Sequence, residues 1–175
     1  MSTELRSAEI PYRLTPEEFE ALPVTALQRE RRAAIREVAA KMFAANLDDT
    51  GLVKVTQGHP LAEAILHFSR GICVRELHMA AGTRVVGMRH RQEHINTISK
   101  GRATVMTEHG KEEISAPATF ISPAGTQRFV WVHEDMVWTT VHRTDKTTKD
   151  EAFADIFIDE TELIADRINE LEAVS

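Results

Sequence analysis

The sequence is poor in cysteine, in long apolar runs and in excess positive charge, and each shortage excludes a class of protein. Cys73 is its only cysteine, so neither an internal disulfide framework nor a zinc site of several thiolates can form. A single cysteine is typical of a reducing compartment, and we expect the protein in the cytoplasm. No apolar run approaches the roughly 18 residues of a membrane-spanning helix. The polar N-terminus, residues 1–11, is not expected to be a signal peptide.

Charge narrows the set of partners further. The formal net charge is −6 over 175 residues, which argues against general nucleic-acid binding. The acidity is concentrated at the C-terminal end, where residues 145–175 carry ten acidic and three basic side chains, while residues 1–144 are nearly neutral. Motifs of phosphate-binding loops, dinucleotide sites, nucleophile elbows and HExxH zinc enzymes are all absent from the sequence. We therefore expect neither a nucleic acid nor a membrane as partner.

Residues 1–71 are predicted to form a helical N-terminal extension. Thr15 precedes Pro16 and is followed three residues later by Glu18, the pattern of a capped helix start. A second helix is predicted from about Thr25, because apolar residues recur at three- and four-residue spacing to Leu47. Four arginines, at positions 29, 31, 32 and 36, lie mostly off that stripe and are predicted to form a solvated face. A third, short helix is predicted over residues 60–68.

From residue 72 the hydrophobic period changes to that of strands. Short segments rich in Val, Ile, Thr and Phe alternate with turn residues, and we predict a mainly β jelly-roll barrel over residues 72–145. Residues 146–175 are predicted to form an amphipathic acidic helical tail, which docks on its own barrel or on a neighbouring subunit. The predicted strands are at about 72–79, 84–90, 94–99, 102–107, 111–115, 118–122, 127–133 and 136–142.

Two of the eight histidines, His90 and His94, lie four residues apart at the junction of two predicted strands. A turn there would let both imidazoles point into one end of the barrel. Imidazole is a good ligand for zinc, iron, nickel or copper. The alternative is a buried pair that only forms hydrogen bonds inside the barrel.

The stretch from Gly82 to Val141 resembles the cupin family. The resemblance places His90 at the second histidine of the first cupin motif, His94 at its glutamate and Gly101 at its closing glycine. Residues 123–125, Pro-Ala-Gly, match the P-x-G turn of the second motif. The resemblance implies a double-stranded β-helix barrel, the cupin form of the jelly roll.

The usual cupin metal ligands are only partly retained. Met88 replaces the first histidine of the first motif, Arg128 replaces the histidine of the second, Val132 replaces its asparagine and Pro117 replaces its leading glycine. An arginine offers no lone pair to a metal and favours a carboxylate or phosphate ligand instead. His78, in another predicted strand, is the spare candidate for a third ligand.

A narrower resemblance concerns residues 90–101 and 133–142. Both strings are similar to small cupin-like proteins of phages and prophages. This resemblance implies no established biochemical activity. It would place the protein in the cytoplasm of the phage's host.

The last two predicted strands are interpreted as a hairpin with a two-residue loop at Glu134-Asp135. In that register Trp131 faces Trp138, and both point out of the barrel while the valines line it. Two bare tryptophans are unusual on a protein surface, so a terminal helix or a second subunit is expected to cover them. The same parity places His142 outside.

The function predicted from the sequence is a cupin-like protein that binds a small polar or anionic molecule, with a divalent transition metal as the candidate cofactor. His90 and His94 bind the metal or the ligand, with His78 as a further metal ligand. Arg128 neutralises the ligand, and Glu93 and Asn96 lie nearby. The alternatives are a metal-free, oligomeric phage accessory module, expected to be a homodimer, and a metal-dependent cupin enzyme. The sequence is compatible with both a binding protein and an enzyme.

Overall fold

A computed structural model describes residues 14–44, 52–54, 62–158 and 173. Within these residues the fold is mainly β, a jelly-roll barrel with helical additions, as predicted. None of the described helices is long and apolar enough to cross a bilayer. In chain order the elements are α1 (Pro16–Ala21), α2 (Ala26–Ala44), β1 (Leu52–Lys54), β2 (Ala62–Ser69), β3 (Ile72–Met79), β4 (Arg84–Val86), β5 (His94–Thr107), β6 (Gly110–Ser115), β7 (Ala118–Ser122), β8 (Phe129–Arg143) and α3 (Lys149–Ile156).

Two long antiparallel strands, β5 and β8, hold the barrel together, because each belongs to two sheets. The second half of β8 pairs with β3 and the first half of β5 pairs with β7, which gives one sheet in the order β2-β3-β8-β5-β7. The first half of β8 pairs with β4 and the second half of β5 pairs with β6, which gives the other sheet, β1-β4-β8-β5-β6. Only the β1–β4 pair is parallel among these strand pairs.

The bend that separates the two sheets lies at Gly101. The β5–β8 register shifts between Ile98 and Ala103, as expected where a bulge turns a strand. Gly101 has φ +89°, and a Cβ there would lie 2.5 Å from the carbonyl oxygen of Asp135. Only glycine allows β8 to pass this close at a positive φ.

The barrel core lies between the two sheets and follows the two-residue alternation of the strands. Its buried members include Leu77 and Met79 from β3, Val105 from β5, and Val132 and Met136 from β8. Even-numbered residues of β8 are buried on both sides of its bend, and only Glu134, at the bend itself, is exposed.

The hairpin predicted at residues 134–135 is wrong. Residues 129–143 form one continuous strand, so the inward parity does not reverse at its middle. Trp138 is therefore only 4% exposed and His142 only 1%, whereas Trp131 stays outside at 40%, with the Arg84 guanidinium 4.8 Å from its ring centroid. Two-residue hairpins are signalled by Asn-Gly or Asp-Gly, and Glu-Asp is a weak substitute.

The short helix predicted over residues 60–68 is also wrong where it is described. Residues 62–69 form β2, which pairs with β3 across a turn that ends at Gly71, with φ +76°. Ala62 and Ala64 are buried and Glu63 is exposed. Pairing with the neighbouring strand overrides the local sequence preference here. Residue 60 and the turn signals predicted at 48–51 and 58–60 lie outside the described residues.

The two N-terminal helices form where the sequence predicts them. The capping box of α1 is complete, because the Thr15 N–H donates to Glu18 Oε2 (2.8 Å) and the Glu18 N–H donates to Thr15 Oγ1 (3.2 Å). Helix α2 packs on the barrel through a cluster that includes Ile35, Met42 and Val86.

The predicted solvated face of α2 is only partly solvated, because Arg29 is exposed, Arg31 and Arg36 are half-buried and Arg32 is buried. Arg32 is buried, and its guanidinium contacts both carboxylate oxygens of Glu108 at the end of the β5–β6 hairpin. Such paired hydrogen bonds are the strong form of an ion pair. The contact fixes the helix against the second sheet.

The first part of the acidic tail docks on its own barrel. Ala152 and Ile156 of α3 and the following Phe157 are buried. The Arg91 N–H donates to the Ile156 carbonyl, and the Ile158 N–H donates to the Arg89 carbonyl, both at 2.8 Å. The apolar stripe predicted beyond residue 158 lies outside the described residues.

Candidate metal centre

Three histidines meet at one end of the barrel. His94 is the first residue of β5 and His142 is the second-last residue of β8. The two strand ends are neighbours, since Ile95 pairs with Val141. His90 lies in the loop before β5, where it forms an isolated bridge with Phe157.

The three imidazoles form one compact, buried cluster. The ring centroids are 3.9 Å apart for His90 and His94, 5.0 Å for His90 and His142, and 4.9 Å for His94 and His142. One nitrogen of each ring lies within 4.8 Å of the others. Three atoms, His90 Nδ1, His94 Nε2 and His142 Nδ1, are buried without a hydrogen-bond partner.

Hydrogen bonds to the opposite ring nitrogens indicate which nitrogens carry lone pairs. His94 Nδ1 lies 3.1 Å from the Gln92 carbonyl oxygen, which can only accept, so His94 Nδ1 is the donor. Thr140 Oγ1 donates to the Arg75 carbonyl at 3.4 Å, so it accepts from His142 Nε2 at 2.9 Å. His94 Nε2 and His142 Nδ1 therefore keep free lone pairs, as metal ligands require.

The protein environment keeps all three imidazoles neutral. Burial lowers the pKa of His90 well below its usual value, and the neighbouring His94 and His142 lower it further. Burial lowers the pKa of His94 to about 4 and that of His142 to about 2. The positive charge of Arg75 acts in the same direction on all three. Only a neutral imidazole coordinates a metal, so the cluster is in the binding form at neutral pH.

An apolar wall closes the cluster on the side of α3. The edge of the Phe157 ring faces His90 at 4.8 Å and His142 at 6.1 Å between centroids. Phe157 belongs to a buried group with Cys73, Ala152 and Ile156. Water is therefore excluded from this side of the imidazoles.

On the other side, His90 forms part of the wall of a cavity of about 50 Å³ inside the barrel. The lining of the cavity combines polar and apolar side chains. Its polar lining is Arg75, Asn96, Thr126, Arg128 and Thr140, and its apolar lining includes Leu77, Met79, Val85, Val130 and Trp138.

The structure brings together some of the site residues predicted from the sequence. His90, Asn96 and Arg128 line the cavity, and His94 belongs to the cluster with His90. Asn96 is held by two hydrogen bonds, donating to Ser122 Oγ at 2.7 Å and accepting from Trp138 Nε1 at 3.0 Å.

Two predicted residues lie elsewhere. Glu93 is exposed and absent from the cavity lining, because its neighbours His94 and Asn96 occupy the inward positions of β5. His78 is half-exposed, and its Nε2 lies 2.5 Å from Glu76 Oε1. It takes no part in the histidine cluster, since inward positions of β3 have odd numbers.

Sequence reasoning missed His142 and Arg75. His142 was assigned to the outside through the false hairpin, and this prediction is wrong, because the side chain is buried in the cluster. Counting in twos from Val130 along an unbroken strand reaches His142 on the inward face. Arg75 occupies an inward position of β3 between Cys73 and Leu77, where a charged residue among apolar ones was the available signal.

Comparison with known proteins gives only remote similarities. No family model and no curated protein matches the chain. Among solved structures, KdgF from Halomonas sp. is 15% identical with a TM-score of 0.46, over 55% of this chain and 90% of that one. A salicylate 1,2-dioxygenase from Pseudaminobacter salicylatoxidans is 13% identical with a TM-score of 0.47, over 67% of this chain and 35% of that one. A cupin-2 domain containing protein from Shewanella frigidimarina is 7% identical with a TM-score of 0.40, over 47% and 80%. These values are too low to transfer a function.

Proposed function

We propose that the protein is a cupin-like metal-binding protein, which holds a divalent transition metal with His90, His94 and His142 and takes a small molecule into the adjoining cavity. The observation that carries this proposal is the set of three buried imidazole nitrogens without hydrogen-bond partners, one from each ring. A buried polar atom that lacks a partner costs about 1–3 kcal/mol. Three at one place are explained by a shared ligand that accepts their lone pairs.

The donor set determines the kind of metal. Imidazole nitrogens suit zinc, iron, nickel and copper, whereas magnesium and calcium require oxygen ligands. No carboxylate belongs to the cluster among the described residues. Three protein ligands leave coordination positions open, as in catalytic rather than structural zinc sites.

A metal bound there would act as a Lewis acid on a molecule in the cavity. The chain's own residues have separate tasks around it. Thr140 and the Gln92 carbonyl orient the imidazoles, Phe157 excludes water behind them, and His90 connects the cluster to the cavity wall. A phage origin stays a prediction from the sequence, and a metal-dependent enzyme stays one of the alternatives that the sequence leaves open.

The proposal is tested by elemental analysis of the purified protein and by calorimetric titration of zinc into chelator-treated protein. We expect one metal per chain. His142→Ala should weaken zinc binding at least about a hundredfold, because even residues that only support metal ligands contribute about 10- to 100-fold. Zinc should also raise the melting temperature of the wild type, since it binds only the folded state.

The matched control is His67→Ala, which removes an exposed histidine of β2 outside the cluster. It should bind zinc as the wild type does. A purified protein without metal, whose chelated form takes up no zinc, iron, nickel or copper, would overturn the proposal. That outcome would favour the metal-free module considered from the sequence.

A further inference from the structure

The cavity beside the histidine cluster contains a buried cation with an unsatisfied hydrogen-bond donor. Arg75 of β3 is only 7% exposed and lines the cavity. Its Nε is buried without a hydrogen-bond partner, and no described carboxylate forms an ion pair with it. Burial lowers the pKa of Arg75 to about 10, so the side chain is still charged at neutral pH.

A second arginine, Arg128, lines the same cavity. Arg128 precedes β8, contacts Ser122 Oγ, and lies 5.7 Å from the ring centroid of Phe120 and 5.8 Å from that of Trp138. Burial lowers the pKa of Arg128 to about 10, against the smaller opposing effect of the Glu112 carboxylate, which is exposed. No described acidic residue lies within ion-pair distance of Arg128.

Arg75 is buried and Arg128 is half-buried, and neither has a carboxylate partner among the described residues. This arrangement is costly, because ions lose their hydration on burial. In folded proteins such groups are paired or bind anions. A guanidinium presents parallel N–H donors that fit the two oxygens of a carboxylate. The described lining of the cavity therefore contains two positively charged side chains and no carboxylate, which favours an anionic ligand.

The rest of the cavity wall selects the body of the ligand. Leu77, Met79, Val85 and Trp138 supply the apolar part of the lining. A volume of about 50 Å³ holds roughly four water molecules at 10–15 Å³ each. This is the space for an acid of about two to four carbons, which has four to six non-hydrogen atoms.

We propose that the cavity binds a small monocarboxylate with a short aliphatic body, its carboxylate neutralised by Arg75 and Arg128 beside His90. The inference deepens the proposed function, since it names the ligand class of the same site. The arginine contacts do not require a metal, so the two proposals can fail separately.

The experiment measures binding of acetate, propionate and butyrate to chelator-treated protein by calorimetry. Affinity should rise about fourfold with each added methylene, the factor that corresponds to burial of one CH₂ group. 1-Butanol, which has the aliphatic body without the charge, should bind at least about tenfold more weakly than butyrate. Inorganic phosphate should also bind more weakly, because it gains nothing from the apolar wall.

Variants identify the groups that hold the carboxylate. Arg75→Met and Arg128→Met should each weaken butyrate binding about tenfold or more, since a charge-assisted hydrogen bond is lost. Arg75→Lys keeps the charge but not the planar fork, so its affinity should lie between wild type and Arg75→Met. If Arg75→Met does not fold, Arg75→Lys alone tests the role of this arginine. Arg70→Met, in the exposed β2–β3 turn, is the matched control and should bind as the wild type does.

The inference would be overturned if butyrate bound no better than acetate or butanol, or if phosphate bound more tightly than butyrate. It would also be overturned if butyrate affinity were unchanged in folded Arg75→Lys and Arg128→Met. Carboxylate binding that appears only with zinc and ignores the arginines would assign the carboxylate to the metal and also overturn it. Arginine-dependent butyrate binding in a chain that takes up no metal would support the inference while the proposed metal function fails.

Discussion

At the scale of single residues, Thr140 shows how one hydroxyl group fixes which nitrogen of a buried imidazole carries the proton. Its hydroxyl donates to the Arg75 carbonyl and accepts from His142 Nε2, which leaves His142 Nδ1 as the free base. The spacing of His90 and His94 predicts their proximity. His142 and Arg75 come from distant strands, and only the strand pairing brings them to the same place.

The lowered histidine pKa values predict acid sensitivity of the metal-free protein. In the unfolded chain histidine has a pKa near 6.5, whereas His94 titrates at about 4 and His142 at about 2 in the fold. The unfolded state therefore binds protons first as the pH falls. The stability present above about pH 6.5 should decrease by a few kcal/mol towards pH 4.

The measurement is urea unfolding of chelated protein at a series of pH values from 7.5 to 4. In His142→Ala the stability should fall less steeply with pH, whatever its absolute value, while His67→Ala should keep the wild-type slope. A free energy of unfolding that stays constant between pH 6.5 and 4 would show that the imidazoles are not buried in their neutral form.

At the scale of elements, the main discrepancy concerns β5 and β8. The sequence predicts a break in each, between 99 and 102 and between 133 and 136, and the structure has a bend at both places. A bend and a turn use the same residues, here Lys100-Gly101 and Glu134-Asp135, so local chemistry does not distinguish them. The difference depends on long-range pairing, and it decides on which face His142 lies.

Replacement of Gly101 should therefore be more damaging than replacement of another glycine with the same backbone conformation. Gly101 and Gly82 have φ +89° and +87°, but only at Gly101 would a Cβ meet neighbouring backbone. Gly82→Ala should cost about 1–3 kcal/mol from the strained φ. Gly101→Ala should cost about 1–3 kcal/mol more, because two backbones must move apart.

Denaturant unfolding of the two variants side by side measures that difference. Equal losses of stability would mean that the two strands do not cross closely at Gly101. A larger loss for Gly82→Ala would contradict the bend altogether.

At the scale of the whole molecule, the outer face of the first sheet carries an apolar row. The row crosses four neighbouring strands and consists of Ile121, Ile95, Val141 and Val74. Ile121, at its edge, is 62% exposed. The jelly-roll class could be predicted from strand density and turn spacing. The sequence argument for a homodimer used both tryptophans, and Trp138 is buried, so the predicted dimer now depends on this row.

We expect a dimer in solution, with this row against a second copy, because contiguous exposed apolar residues are typical of interaction surfaces. Light scattering coupled to gel filtration measures the mass. Ile121→Lys should shift it towards the monomer, whereas Met106→Lys, an equally apolar exposed position on the second sheet, should not. A monomeric wild type, or a dimer that survives Ile121→Lys, would contradict this prediction.

The docked segment after the last strand affects where the protein can be cut. Phe157 and its neighbours cover one side of the imidazoles, so residues 144–158 complete an enclosure that the strands alone leave open. Truncation of the chain at the predicted barrel boundary, residue 145, would remove Phe157 and expose the three imidazoles to water. A shortened chain that is to keep the histidine cluster dry must therefore retain the sequence at least to residue 158.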